Sequence, residues 1–341
     1  MKNKLNLFVT LVLIFGIASF LSGCGSEQKK PKTVIKHFKS AFSEIESGSF
    51  SGNLTLEGKQ ETDSTHLQAD LKGKYNYKKG DEQKYALHAT VAGKIEKEGT
   101  PLDGTVDLDL LSLGKNIYFN VNQLEVNDLQ FSKLEPRITP YTKKWLQLDP
   151  GLLSQNPVTP DKDVNSYREK WQKIFRESNL FTVKKEFGIE NMNGNNVYHY
   201  GIEIDPVGVA NYVKAVATMV NAEEVDANAE SELLASLEKV VPALNAAANP
   251  EIWIGTKDYY LYKISFELNS SLVPDFPKES GDVLLKVVFT GGDYNTSINI
   301  DAPKESELFN PLAILFGAAA MNPGGLNPSE VMPQFDAIPQ P

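Results

Sequence analysis

The chain has 341 residues, 34 basic and 44 acidic side chains for a formal net charge of −10, and a single cysteine. That length supports one large or two medium cores held by burial alone. The acidity excludes a nucleic-acid partner, which needs basic patches against phosphate, and argues against the body lying flat on anionic lipid. One cysteine excludes disulfides, cysteine-ligated zinc, iron–sulfur clusters and, if that residue is spent elsewhere, thiol catalysis.

Lys2 and Lys4 precede an apolar stretch from Leu7 to Leu21, broken only by Thr10, Gly16 and Ser19. A basic start, an apolar middle and a small-residue end make an export signal. The stretch is shorter than the roughly 20 residues that span a bilayer, which argues against an uncleaved anchor. The string Leu21-Ser22-Gly23-Cys24 resembles the lipobox of bacterial lipoproteins. That resemblance implies removal of residues 1–23 and a diacylglycerol on the Cys24 thiol. Acyl chains such as palmitate would then hold the protein on the extracytoplasmic face of a cell membrane. Gly25, not Asp, follows, so no inner-membrane retention signal is evident and the choice of membrane stays open. Residues 24–32 read as a polar tether; its lysines either touch headgroups or are simply solvated.

The spacing predicts a helix from Thr33 to Glu46, capped by Thr33, with Val34, Ile35, Phe38, Phe42 and Ile45 on one face. Strands follow near 50–57, 66–77, 84–96, 104–111 and 115–122. In 66–77, Leu67, Ala69, Leu71, Gly73, Tyr75 and Tyr77 alternate with His66, Gln68, Asp70, Lys72, Lys74 and Asn76. Period two with one apolar face marks a half-buried antiparallel strand. Residues 123–164 hold five prolines and read as irregular, apart from a short segment with Trp145, Leu146 and Leu148. A helix is expected near 165–178. Strands at 181–190 and 196–204 flank Asn193-Gly194, a strong hairpin signal. Ala/Val-rich helices near 207–221 and 229–247 come next, then strands at 251–255, 259–269, 282–290 and 293–300. In 259–269, Tyr260, Tyr262, Ile264, Phe266 and Leu268 are expected to share a face. Residues 33–305 thus read as one α+β domain. Residues 306–341 are an apolar segment, too short to span a bilayer, and a Pro/Gly-rich tail expected to be disordered.

Candidates for catalysis are few. His66, His88 and His199 fall on polar strand faces and His37 on the polar side of its helix, so all four read as solvated. Asp103, Asp107 and Asp109 lack the glycine and closing glutamate of a calcium loop. No nucleophile elbow, phosphate loop or dinucleotide fingerprint is present. The expectation is no enzyme, no metal and no cofactor.

The element order, with Glu251-Ile252-Trp253-Ile254-Gly255 and Tyr260-Leu261-Tyr262-Lys263-Ile264, resembles the LolA-like superfamily of lipoprotein and lipid carriers, including the mycobacterial LppX and LprG type. The resemblance implies a strongly curved antiparallel sheet, a half-barrel, with helices on its concave side and a hydrophobic cavity for acyl chains between them. Val213, Val216, Tyr262 and Phe289 are the expected lining. The function implied is a membrane-anchored binder or carrier of a lipid or other amphipathic ligand. Two alternatives stay open: an envelope interaction module with a filled core and, more weakly, an envelope hydrolase. The inward tyrosines fit an amphipathic ligand, and fit ordinary cross-strand packing equally.

Overall fold

A computed structural model describes residues 29–41, 44–60, 63–77, 82–97, 100–127, 132, 135–148, 164–221, 227–272 and 281–309. The leader, Cys24, Gly25 and residues 310–341 lie outside the described residues, while the start of the expected tail segment, Glu307–Phe309, is a strand of the sheet.

The first half is a run of long antiparallel strands: β1 (Ser47–Gln60), β2 (Asp63–Asn76), β3 (Lys84–Lys97), β4 (Thr100–Leu113) and β5 (Asn116–Val126), then short β6 (Leu146–Leu148). The second half contains β7 (Phe181–Met192), β8 (Asn195–Ile204), β9 (Glu251–Gly255), β10 (Leu261–Asn269), β11 (Asp282–Gly292) and β12 (Glu307–Phe309). All join one sheet in the order β12-β6-β5-β4-β3-β2-β1-β11-β10-β9-β8-β7. Two meanders therefore meet where β1 pairs with β11, and among the described strands only the edge pair β12–β6 is parallel. The sheet is curved and unclosed, as strong twist over many long strands requires. With its helices it forms an α+β half-barrel.

Register fixes what each face carries. Gly52, Leu71, Ala89, Leu108 and Val121 line up across five strands on the apolar face. Ser51, Lys72, His88 and Asp109 line up on the other. A one-residue slip would exchange these faces, so burial of one face pins the pairing. The β7–β8 hairpin closes through Asn193 and Gly194, at φ 51° and 86°. Both angles are positive, as a two-residue turn matching strand twist demands.

Four helices supply the second layer: α1 (Pro31–Ala41), α2 (Val164–Glu177), α3 (Pro206–Asn221) and α4 (Ala227–Ala247). They pack over β7–β10. Val34 and Phe38 of α1 meet Phe175 of α2, Phe181 of β7 and the rings of Tyr198 and Tyr200 in one buried cluster with Ile252, Ile254 and Val209. Polar ties orient the layer. Trp171 Nε1 donates to Tyr212 Oη at 2.7 Å, joining α2 to α3. The Asn245 amide bonds both N–H and C=O of Ile204 at 2.8 Å, fastening α4 to the end of β8. Arg168 of α2 donates to the carbonyls of Tyr77 and Ile45, beyond the ends of β2 and β1.

Three local expectations are corrected. Helix α1 begins at Pro31, not Thr33, because proline fits the first turn, where its missing N–H costs nothing. Residues 293–300 are not a strand. Asp293 and Asn295 adopt φ 51° and 55°, and the chain turns out of the sheet, bonding back to Ser47 and Asn76. In β10 a bulge between Leu261 and Lys263 breaks the alternation. Tyr262 leaves the line of Ile264 and Phe266: its ring lies beside Gly255 and its hydroxyl donates to Asp258 at 2.7 Å.

Candidate ligand-binding site

The helices cover the sheet unevenly. On β7–β10 the apolar face is closed: Val197, Ile252 and Ile254 are buried. On β1–β5 the same face is only half-buried at Leu54, Leu67, Leu71, Leu87, Val106, Leu108 and Leu110. The buried cluster reaches these strands only near one end, through Tyr75 with Phe50, Tyr77 and Tyr85 packed against it. Among the described residues, a continuous apolar surface therefore runs beside the helical layer, and Ile95 and Leu102 at its far end are 44% and 37% exposed.

Of the four residues expected to line a cavity, Val213, Val216 and Tyr262 pack against the same buried cluster, and Phe289 adjoins it through Phe50. Val213 and Val216 of α3 are half-buried and pack against the core cluster. Phe289 of β11 is buried and stacks on Phe50, ring centroids 5.7 Å apart. Tyr262, at the bulge, also lines a second hollow.

That hollow is a cleft of about 850 Å³ on the polar face, within the usual range for small-ligand pockets. Its floor is two cross-strand rows. One runs Thr290, Ser51, Lys72, His88, Asp109; the next runs Gly292, Ser49, Lys74, Ala86, Leu111. Trp145, Ile300, Met192 and Tyr262 also line it. The second row has no side chain at Gly292 and one methyl at Ala86, which leaves room above the sheet. Sequence reading placed Lys72 and Lys74 on a polar face but could not pair them with small residues, because register was unknown.

His88 lines this cleft. Its Nδ1 is 2.9 Å from Asp109 and its Nε2 is 3.5 Å from Thr90 Oγ1. This Asp–His–Thr row is a ladder of hydrogen bonds, not an activated nucleophile. Thr90 donates its proton to Asp107 at 3.2 Å, away from His88. The neighbouring strand amides are spent in sheet pairing, so no backbone donors converge on a developing oxyanion. Asn122 donates to both Asp107 and Asp109, at 2.7 and 2.8 Å. Among the described residues, no group of three or more His, Asp or Glu could hold a metal ion.

His199 differs from its expected solvated state. It is 8% exposed and sandwiched between Phe187 and Trp253, both centroids 4.2 Å away. Nδ1 faces Glu190 at 2.6 Å and Nε2 faces Glu251 at 3.1 Å. Lys185 and Lys263 sit over the outer rings at 4.3 and 4.1 Å. Two bulges in β7 turn Phe187 toward His199, and such bulges re-aim side chains. Alternation assigned His199 a face but could not show that its cross-strand neighbours are aromatic. His37 is likewise stacked, against Tyr259, while His66 stays open to water beside Glu57.

No protein-family model matches the chain, and no curated protein matches it. Among solved structures it is similar to the lipoprotein LppX of Mycobacterium tuberculosis, at 13% identity over 80% of this chain and 100% of that one, with a TM-score of 0.28. It is also similar to a putative outer membrane lipoprotein-sorting protein domain from Vibrio parahaemolyticus, at 10% identity over 74% and 87%, with a TM-score of 0.15. No helix among the described residues is long and apolar enough to cross a membrane; this does not bear on β-barrels.

Proposed function

We propose that this chain is an extracytoplasmic lipoprotein, tethered through acyl chains on Cys24, that holds a lipid or other amphipathic molecule against the apolar face of its sheet. Residues 33–305 act as a LolA-like binding domain and carry no catalysis. The observation behind this reading is the uneven cover: β1–β5 keep a long apolar face only half-buried beside α1–α4. Soluble proteins rarely leave a large contiguous apolar surface open without a use for it. An acyl chain laid along Leu71, Leu87, Leu108 and Leu110 would be dehydrated at about 0.8 kcal/mol per methylene. Its path leads toward α3, where Val213 and Val216, with Phe289 on the sheet, form the inner wall of the proposed site.

The test is a titration of the Cys24→Ala protein with a fluorescent fatty acid. Saturable binding, weakened about tenfold or more by Leu87→Gln with Leu110→Gln, is the expected result, since each buried leucine contributes on the order of 1.5–3 kcal/mol. Non-saturable partitioning, equal in both proteins, would remove the proposal.

A further inference from the structure

We infer that the polar-face cleft is a second ligand site, which takes a phosphate or carboxylate carried on a compact apolar or planar body. It lies on the opposite side of the sheet from the proposed acyl surface and does not depend on it.

The charge pattern sets the anionic half of the ligand. Lys72 and Lys74 stand two residues apart on β2, on one face, at the middle of the floor. Among the described residues neither pairs with a carboxylate, whereas Lys286 meets Glu267 at 3.1 Å and Lys144 meets Glu307. The cleft also holds carboxylates, and each is already engaged. Asp109 accepts from Asn122 and faces His88; Asp293 accepts from Ser49 at 2.6 Å; Asp301 accepts from Asn299 at 2.6 Å. Asp109 and the β11 end lie two strands to either side of β2, roughly 10 Å off at sheet spacing, which is about one screening length in ordinary salt; Asp301 follows the segment that Asn76 ties to the end of β2, and its carboxylate is held by Asn299. An anion above the middle of β2 therefore meets two ammonium groups that no carboxylate pairs among the described residues. It also meets a free hydroxyl proton. Ser51 and Thr290 share one hydrogen bond at 2.6 Å, so one of their two protons remains to donate, in the same row as Lys72.

The second row sets the other half. Ala86 and Leu111 are apolar, Gly292 leaves space, and Trp145 and the buried Ile300 also line the cleft. An aromatic face beside small apolar residues suits a flat or compact hydrophobic body. A free inorganic anion would leave this half of the cleft unused.

Phenyl phosphate is a suitable probe, with phenol and inorganic phosphate as its two halves. The full chain, held in uncharged detergent, is titrated calorimetrically at low salt. Phenyl phosphate should bind saturably, and more tightly than either half. Lys72→Gln with Lys74→Gln should weaken it about tenfold or more, the value of one lost charge-assisted hydrogen bond. Lys72→Arg with Lys74→Arg should retain it, which separates lost charge from lost folding. Trp145→Ala should weaken phenyl phosphate and leave inorganic phosphate unchanged. Leu108→Gln with Leu110→Gln, which lie on the opposite face and do not line the cleft, should leave it unaffected, so failure of the acyl reading is distinguishable. Equal affinity for inorganic phosphate and phenyl phosphate would overturn the apolar half. No binding, or binding unchanged by the double glutamine variant, would overturn the site.

Discussion

The imidazole of His199 lies flat against the indole of Trp253, centroids 4.2 Å apart and planes 17° from parallel. Glu190 bridges both rings, facing His199 Nδ1 at 2.6 Å and accepting from Trp253 Nε1 at 3.1 Å. This clamp ties edge strand β7 to β8 and β9 on the face opposite the helices. Trp253→Ala should therefore cost about 3–5 kcal/mol, the usual range for a buried large aromatic. Urea unfolding measures it, and a loss below about 1 kcal/mol, an ordinary surface value, would show the stack to be dispensable.

Acid should weaken the same clamp. Hydrogen bonds from His199 and Trp253 hold the Glu190 carboxyl below its ordinary value. The folded state then binds that proton more weakly than the unfolded chain does. The contribution is complete above the ordinary carboxylate range and is lost as pH falls through the lowered value. Glu190→Gln should accordingly flatten the acid limb of stability against pH. Parallel acid limbs in the two proteins would rule this out.

At the alkaline end the tyrosines act. Burial pushes Tyr85 and Tyr212 up to about 12, Tyr75, Tyr200 and Tyr262 higher still, and Tyr294 well above its ordinary value. The unfolded chain loses phenolic protons from about pH 10, where these folded tyrosines keep theirs. Stability should fall as pH rises above 10. Tyrosinate absorbance should rise in step with unfolding; ionisation of most tyrosines in a still-folded protein would contradict the burial.

A close approach of backbones fixes the start of α3. A Cβ on Gly208 would stand 1.8 Å from the Asn179 carbonyl oxygen. Gly→Ala within a helix normally stabilises by roughly 0.5–1 kcal/mol. Gly208→Ala should instead lower the melting temperature, because backbone must move. A rise would mean that α3 stands further from residue 179.

Much of the fold was legible because the chain alternates cleanly. β2 and β3 carry one apolar face each over 14 residues, and Asn193-Gly194 announces its own hairpin. The apolar stripes of α2, α3 and α4 gave their positions within two residues. What stayed hidden depended on pairing across the sheet. The bulge at Leu261/Lys263 moved Tyr262 off its expected line, and positive φ at Asp293 and Asn295 ended β11 in a turn. The cleft exists because Lys74 has Ala86 on one side and Ser49, then Gly292, on the other, a relation between residues more than 200 positions apart. The enclosure of His199 by Phe187 and Trp253 is hidden for the same reason.

Anchoring rests on the leader and Cys24. Cys24→Ala should shift the protein from the membrane to the soluble fraction and abolish incorporation of labelled fatty acid. A membrane-bound, lipid-labelled variant would contradict acylation at this residue.

The central claim is that the apolar face of β1–β5 holds an amphipathic molecule. Organic extraction of the purified Cys24→Ala protein, followed by mass spectrometry, tests it most directly. The account predicts co-purified acyl lipid near one molecule per chain, depleted in the Leu87→Gln, Leu110→Gln variant. An empty extract from a folded protein, or the same lipid at the same level in both proteins, would contradict it.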